Sequence, residues 1–182
     1  MSEAAFTRFR HEDQHYPRMR GSVIPRIRAA DIVAMLGLRK KYTQFAQCAL
    51  LPRARYALYH AFRSCDAGEG AIVLLPAYHC ITMVEPILRT GAQPRCYRIN
   101  DDLSPDIEHI RAILDDEGDR VRCLLLAHFF GFRQETESLL RCLAGFEVEL
   151  IEDCAHVMEP RPGLGDRGKA AAFCPAKFFP IP

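Results

Sequence analysis

The sequence predicts an α/β protein with a mainly parallel sheet and flanking helices. Short, largely apolar runs occur at 71–75, at 121–127 and in the stretch that ends at Glu152-Asp153. Each is too short for a buried helix and carries no polar alternation, as expected of strands covered on both faces. Segments with helical spacing fill the gaps between these runs, and from Asp66 onward glycine and proline punctuate them regularly. Strands that alternate with helices in this way give α/β architecture.

Taken in order, residues 1–25 are polar and basic, with His11, His15, Pro17, Gly21 and Pro25 and no usable periodicity, and read as an arm. Residues 26–36 look helical and end at Gly37, with apolar positions 27, 32, 33 and 36 forming a stripe. A second helix is expected over 53–64, after Pro52, offering Ala57, Leu58, Ala61 and Phe62 to a core. The turn Asp66-Ala67-Gly68-Glu69-Gly70 leads into a strand at 71–75, closed by Pro76. Residues 81–89 look helical and stop at Gly91, and 95–99 alternates like a strand. Ser104 and Pro105 resemble an N-cap and first helical position, for a helix running to about Asp116 and burying Ile107, Ile110, Ile113 and Leu114. The strand at 121–127 is followed by His128-Phe129-Phe130-Gly131, and a helix over 134–143 ends near Gly145. Then come Glu147 to His156, a loop with Gly163, Gly165 and Gly168, a small-residue strand at 170–174, and Lys177.

Composition bounds the function. The 182 residues are 49% hydrophobic and 26% charged, enough for one domain with a sizeable core. A net charge of +1 gives no reason to expect nucleic acid. The charge is uneven, since residues 1–63 hold 12 Lys/Arg against 4 Asp/Glu, which a solvated surface explains best. Eight cysteines with no C-x-x-C pair suggest small buried thiols in a reducing compartment rather than a disulfide framework. No apolar run approaches the ~20 residues that span a bilayer. The expectation is a cytoplasmic protein without a membrane partner.

Two residues suggest a chemistry. Asp153 ends a strand, and in open α/β sheets ligands bind outside the carboxyl ends of strands. Lys177 lies among Phe173, Phe178 and Phe179, a setting expected to desolvate it and ease its deprotonation. An acid that keeps a pyridine nitrogen protonated and a lysine that forms a Schiff base are what pyridoxal 5'-phosphate (PLP) requires. The ordinary alternatives are a helix-capping acid and a surface lysine. His156 offers a contact to the cofactor ring, although a satisfied core or cap histidine is the commoner fate. Tyr78, His79 and Cys80 follow a strand and lie at the same edge, and His128 at another strand end is a candidate for lining the cleft. His79, Cys80, Cys154 and His156 can be imagined around zinc, but their spacing matches no standard pattern. The glycines at 163, 165 and 168 do not open a helix after a strand, so a dinucleotide fingerprint is not supported.

Five motifs occur in an informative order: Pro76-Ala77-Tyr78-His79-Cys80, Gly91-Ala92-Gln93-Pro94, Ala127-His128-Phe129-Phe130-Gly131, Glu152-Asp153-Cys154-Ala155-His156 and Cys174-Pro175-Ala176-Lys177. Together they resemble the DegT/DnrJ/StrS-type sugar aminotransferases, PLP enzymes of fold type I, over roughly residues 52–182. The resemblance implies a three-layer large domain, a homodimer with active sites at the interface, and amino transfer from an amino-acid donor, usually glutamate, to a keto-sugar that can be nucleotide-linked. It makes Lys177 the Schiff-base lysine, Asp153 the pyridine-nitrogen partner and His156 the ring contact. It also places Ala54 and Arg55 in the turn at the cofactor phosphate. Where the family usually has a phosphate-binding serine this chain has Cys174, and the stacking aromatic position falls on Cys80, with Tyr78 beside it. Dehydrating relatives lack a lysine at this position, so Lys177 points to amino transfer. The family continues for about as many residues again, so the expectation is a basic arm and helix over 1–51 and a partial large domain over 52–182, truncated after the lysine and without the small C-terminal domain. The alternative is a non-catalytic α/β module that acts through protein contacts.

Overall fold

The computed structural model describes residues 48–49, 51–158 and 160–178. The expected N-terminal arm and the helix over 26–36 lie outside the described residues. Five strands, β1 (Ile72–Pro76), β2 (Gln93–Tyr97), β3 (Val121–Ala127), β4 (Glu149–Cys154) and β5 (Ala170–Phe173), form one sheet in the order β2-β1-β3-β4-β5. Every neighbouring pair is parallel. Among the described residues four α-helices join or precede them: α1 (Ala54–Ser64), α2 (Ile81–Thr90), α3 (Ile107–Glu117) and α4 (Glu137–Leu143).

The sheet is buried on both faces, which is why its central strands read as continuous apolar runs. Val73, Leu75, Cys123, Leu125 and Ile151 share a core with Leu58 and Phe62 of α1 and Met83 and Ile87 of α2. Ile72, Leu74, Leu124, Leu126 and Leu150 share the opposite core with Ile110, Ile113 and Leu114 of α3 and Leu139 and Leu143 of α4. The result is three layers. A register shift between Ile72 and Val73 passes over Arg122, so that Val121 joins the same face as Leu124 and Leu126. Leu125 is fully buried, and cutting it to alanine costs ~2–5 kcal/mol, a lost-transfer term plus a cavity term.

Several boundaries differ from those expected, each for a local reason. Strand β2 begins at Gln93 rather than Arg95, because Gln93 pairs with Ile72; as an edge strand it tolerates Pro94. Pro76 is the last residue of β1 rather than its stop, lying beyond the rungs shared with β3, where no N–H is needed. Helix α3 starts at Ile107 with Asp106 as its N-cap, the Asp106 carboxylate accepting the His109 N–H at 2.9 Å. Ser104 is instead engaged with Asp102, and Pro105 bridges to Ile99. Helix α4 starts three residues late, because the Glu135 carboxylate accepts the Glu137 and Ser138 N–H groups. Of the thiols, Cys65, Cys123, Cys142 and Cys154 are buried while Cys80 and Cys96 are exposed, so the buried-thiol expectation holds for only part of the set.

Candidate active site

The carboxyl ends of β1, β3, β4 and β5 and the amino end of α1 surround a cleft of about 620 Å³. All the residues expected at the cofactor site line it: Ala54, Arg55, Tyr78, Cys80, His128, Asp153, His156, Cys174 and Lys177. A parallel sheet places every strand's carboxyl end on the same edge, so the sequence-distant motifs meet there.

Asp153 faces the α1–α2 side of β4 and is only 6% exposed. One carboxylate oxygen accepts the Ala155 N–H at 2.8 Å. The other accepts no hydrogen bond from the described residues. No buried side-chain oxygen there is both sealed and unpaired, so this atom opens to the cleft it lines. Burial pushes the Asp153 carboxyl above its usual range, and the Ala155 amide and the charge of Lys177 offset this only in part. An acid with one unmatched, desolvated oxygen fits a cationic N–H donor.

His156 sits one turn beyond, where the Phe130 N–H donates to its Nδ1 at 3.1 Å and the two rings stack at 5.8 Å. Burial, then the nearby Lys177, hold its imidazole below the usual histidine range, which favours the neutral ring. The supporting turn is tight. Phe130 has φ +55° and Gly131 φ +82°, and a Cβ on Gly131 would lie 2.8 Å from the His156 carbonyl oxygen.

Beneath this edge, on the opposite face of β4, lies a pair that the sequence reading missed. Glu152 and His128 are fully buried, with His128 Nε2 2.8 Å from the Glu152 carboxylate. His128 Nδ1 accepts the Gln134 N–H at 3.2 Å, so the proton sits on Nε2 and donates to Glu152. Glu152 also accepts the N–H groups of Gly165, Arg167 and Gly168 at 2.7–2.9 Å. The glycine loop is therefore a cradle for a carboxylate of this chain. Gly168 permits that close approach, since a Cβ there would meet the Leu150 carbonyl oxygen at 2.5 Å. The available signal was the Glu152-Asp153 pair itself, in which alternation puts only one acid on the cleft face. His128 thus lines the cleft but spends both ring nitrogens within the protein.

The remaining residues are simpler. The expected phosphate turn, Ala54-Arg55, is the first turn of α1, which has no capping side chain and leaves free N–H groups beside the cleft. The Arg55 guanidinium is held by Glu85. Tyr78 packs on Phe129 with ring centroids 5.4 Å apart, and the Cys80 thiol lies 2.7 Å from the Thr82 hydroxyl. Cys174 precedes the short 3-10 turn Pro175–Lys177. Lys177 is exposed in this chain, contrary to the desolvated setting expected from its phenylalanine neighbours: the turn directs it into the open cleft instead of the core. The imagined zinc set does not assemble, because Cys154 is buried with Val157 and Leu164 away from the cleft. His128, Glu152 and Cys154 do cluster within 4.8 Å, but the donors already filling the first two leave no lone pair for a metal.

Among the described residues no helix is long and apolar enough to cross a membrane. The sequence pattern of the DegT/DnrJ/EryC1/StrS aminotransferase family matches residues 39–179. A UDP-N-acetyl-3-dehydro-alpha-D-glucosamine 3-aminotransferase from Acidithiobacillus ferrooxidans is 26% identical over 128 residues, which cover 68% of this chain and 33% of that protein. The chain thus spans about a third of that relative's length. The aminotransferase TlmJ from Streptoalloteichus hindustanus shares the fold with a TM-score of 0.57 at 19% identity, over 66% of this chain and 33% of that one. An aminotransferase from Psychrobacter cryohalolentis does so with a TM-score of 0.56 at 21% identity, over 70% and 36%. The three-layer architecture is that of fold-type I aminotransferases, and the chain belongs to the DegT/DnrJ/EryC1/StrS aminotransferase family.

Proposed function

We propose that residues 52–182 form the cofactor-binding part of a PLP-dependent aminotransferase that passes an amino group from an amino-acid donor to a keto-sugar, the acceptor being nucleotide-linked. The observation that carries this reading is the single cleft in which Asp153, His156, Lys177 and the free amino end of α1 converge. The substrate class follows the relative from Acidithiobacillus ferrooxidans, whose name specifies a UDP-linked sugar.

When bound, PLP supplies an electron sink that stabilises a carbanion at the donor Cα. The chain's residues supply the rest. Lys177, which reaches the cleft, would be the amine that holds the cofactor and the base that moves a proton at the donor Cα. Asp153 offers its unmatched oxygen to the pyridine N–H, and the desolvation that raises its pKa strengthens that pairing. His156, braced at Nδ1 by the Phe130 N–H, would offer its Nε2 proton to the cofactor ring. The α1 amino end receives the phosphate, its dipole and free N–H groups favouring an anion.

Phe130, which lines the cleft, and Phe132, two residues on, are 62% and 72% exposed, which supports the homodimer expected of the family. A second subunit over the mouth would supply the desolvation that Lys177 lacks in one chain. Convergence of these residues makes the non-catalytic module the weaker reading. The direct test is amino transfer from glutamate to a UDP-linked keto-sugar, with Lys177→Ala alongside. Loss of transfer in the variant is expected; retained transfer overturns the assignment.

A further inference from the structure

Glu152 is a fully buried carboxylate that the proposed chemistry does not touch. Burying it is costly unless donors offset the lost hydration, and four do. His128 lines the cleft, and the other three lie in a segment that leads to its wall. The Gly165, Arg167 and Gly168 amides lie in the loop that enters β5, and β5 leads directly to Cys174 and Lys177. His128 opens the turn whose Phe130 amide holds His156, and its own N–H donates to the Asp153 carbonyl at 3.0 Å. The other nitrogen of that ring receives Gln134, anchoring the far side of the turn. An apolar side chain at 152 could fill the space but could not gather these segments.

We propose that Glu152 is a positioning residue: through His128 and the 165–168 loop it sets the spacing of Asp153, His156 and the Lys177 segment around the cofactor site. The inference rests on the cofactor-binding reading above, yet its first test needs no cofactor. In the full chain, Glu152→Gln keeps the shape of the side chain but turns an NH2 group toward backbone donors. Amide hydrogen exchange without PLP should then quicken roughly tenfold or more at Gly165, Arg167 and Gly168, and also at Gln134 and Phe130. Quickening confined to 165–168 overturns the proposal, because Glu152 would then brace one loop only.

Should Glu152→Gln fail to fold, His128→Gln serves. It leaves the three loop amides facing an intact carboxylate. Faster exchange at Gln134 and Phe130 is expected, and unchanged exchange there overturns the proposal. In each folded variant the PLP dissociation constant should rise by roughly tenfold or more, since displacing a site residue by an ångström suffices for such losses. Wild-type affinity in a folded but destabilised variant would mark the pair as structural only and also overturn it. Absence of PLP binding by the wild type sinks the functional reading alone; the exchange pattern then still decides the positioning claim.

Discussion

Glu152 and Asp153 are consecutive acids on β4, both buried, and they face opposite sides of the sheet with opposite consequences. Burial alone would raise the Glu152 carboxyl, but His128 and three backbone amides together bring it below its usual range. Asp153 is also desolvated but has a single amide donor, and its carboxyl stays raised. What most plainly separates their surroundings is the number of donors, four against one. A saturated acid is part of the frame, whereas an under-satisfied acid at a strand end is held ready for a ligand.

That contrast is easiest to break at Glu152. Glu152→Ala removes the acceptor shared by buried His128 and three loop amides and should lower stability by ~3–5 kcal/mol, as breaking a buried pair from one side does. A denaturant midpoint unmoved by the substitution would show that water or neighbours satisfy the donors instead. Gly131→Ala comes next, because its φ of +82° and the His156 carbonyl 2.8 Å away both resist a side chain. It should cost ~1–3 kcal/mol and displace His156, read from the midpoint and from the His156 ring resonances. Asp153→Asn should be mildest for folding, within ~1 kcal/mol and of either sign, because it removes a desolvated charge that has one protein donor.

The pH dependence sharpens the same comparison. Glu152, lowered on folding, contributes stability that is present above its unfolded value of 4.5 and lost as pH falls through its folded pKa. Asp153, raised on folding, contributes stability that is present below 3.8 and lost as pH rises through its folded pKa. Glu152→Gln should therefore flatten the acid limb of the stability profile. Asp153→Asn should remove a decline on the other side of that range, leaving the protein relatively more stable toward neutral pH. Equal effects from the two variants would erase the distinction.

Much of the fold was legible because a parallel sheet writes itself as apolar runs, and β3 falls where its run predicts, at Val121–Ala127. The cleft was legible for a related reason: residues placed just after strands must share one edge. Edge and cap details were not, because they depend on partners distant in the chain or on competing local bonds. Gln93 joins β2 only through Ile72, and Asp106 displaces Ser104 as a cap because Asp102 already holds that serine. The Glu152–His128 pair was hidden because its other donors come from 165–168, where glycine spacing signals a loop but not its acceptor. Lys177 misled in the opposite direction, since aromatic neighbours in sequence do not bury a side chain that a 3-10 turn points into a cleft.

The most direct measurement is the visible absorption of the full chain titrated with PLP, beside Lys177→Ala and Asp153→Asn. The account predicts a band in the wild type, none in Lys177→Ala, and a weaker band with lower affinity in Asp153→Asn. A band of equal strength in all three would show that neither residue holds the cofactor and would contradict the assignment of this cleft.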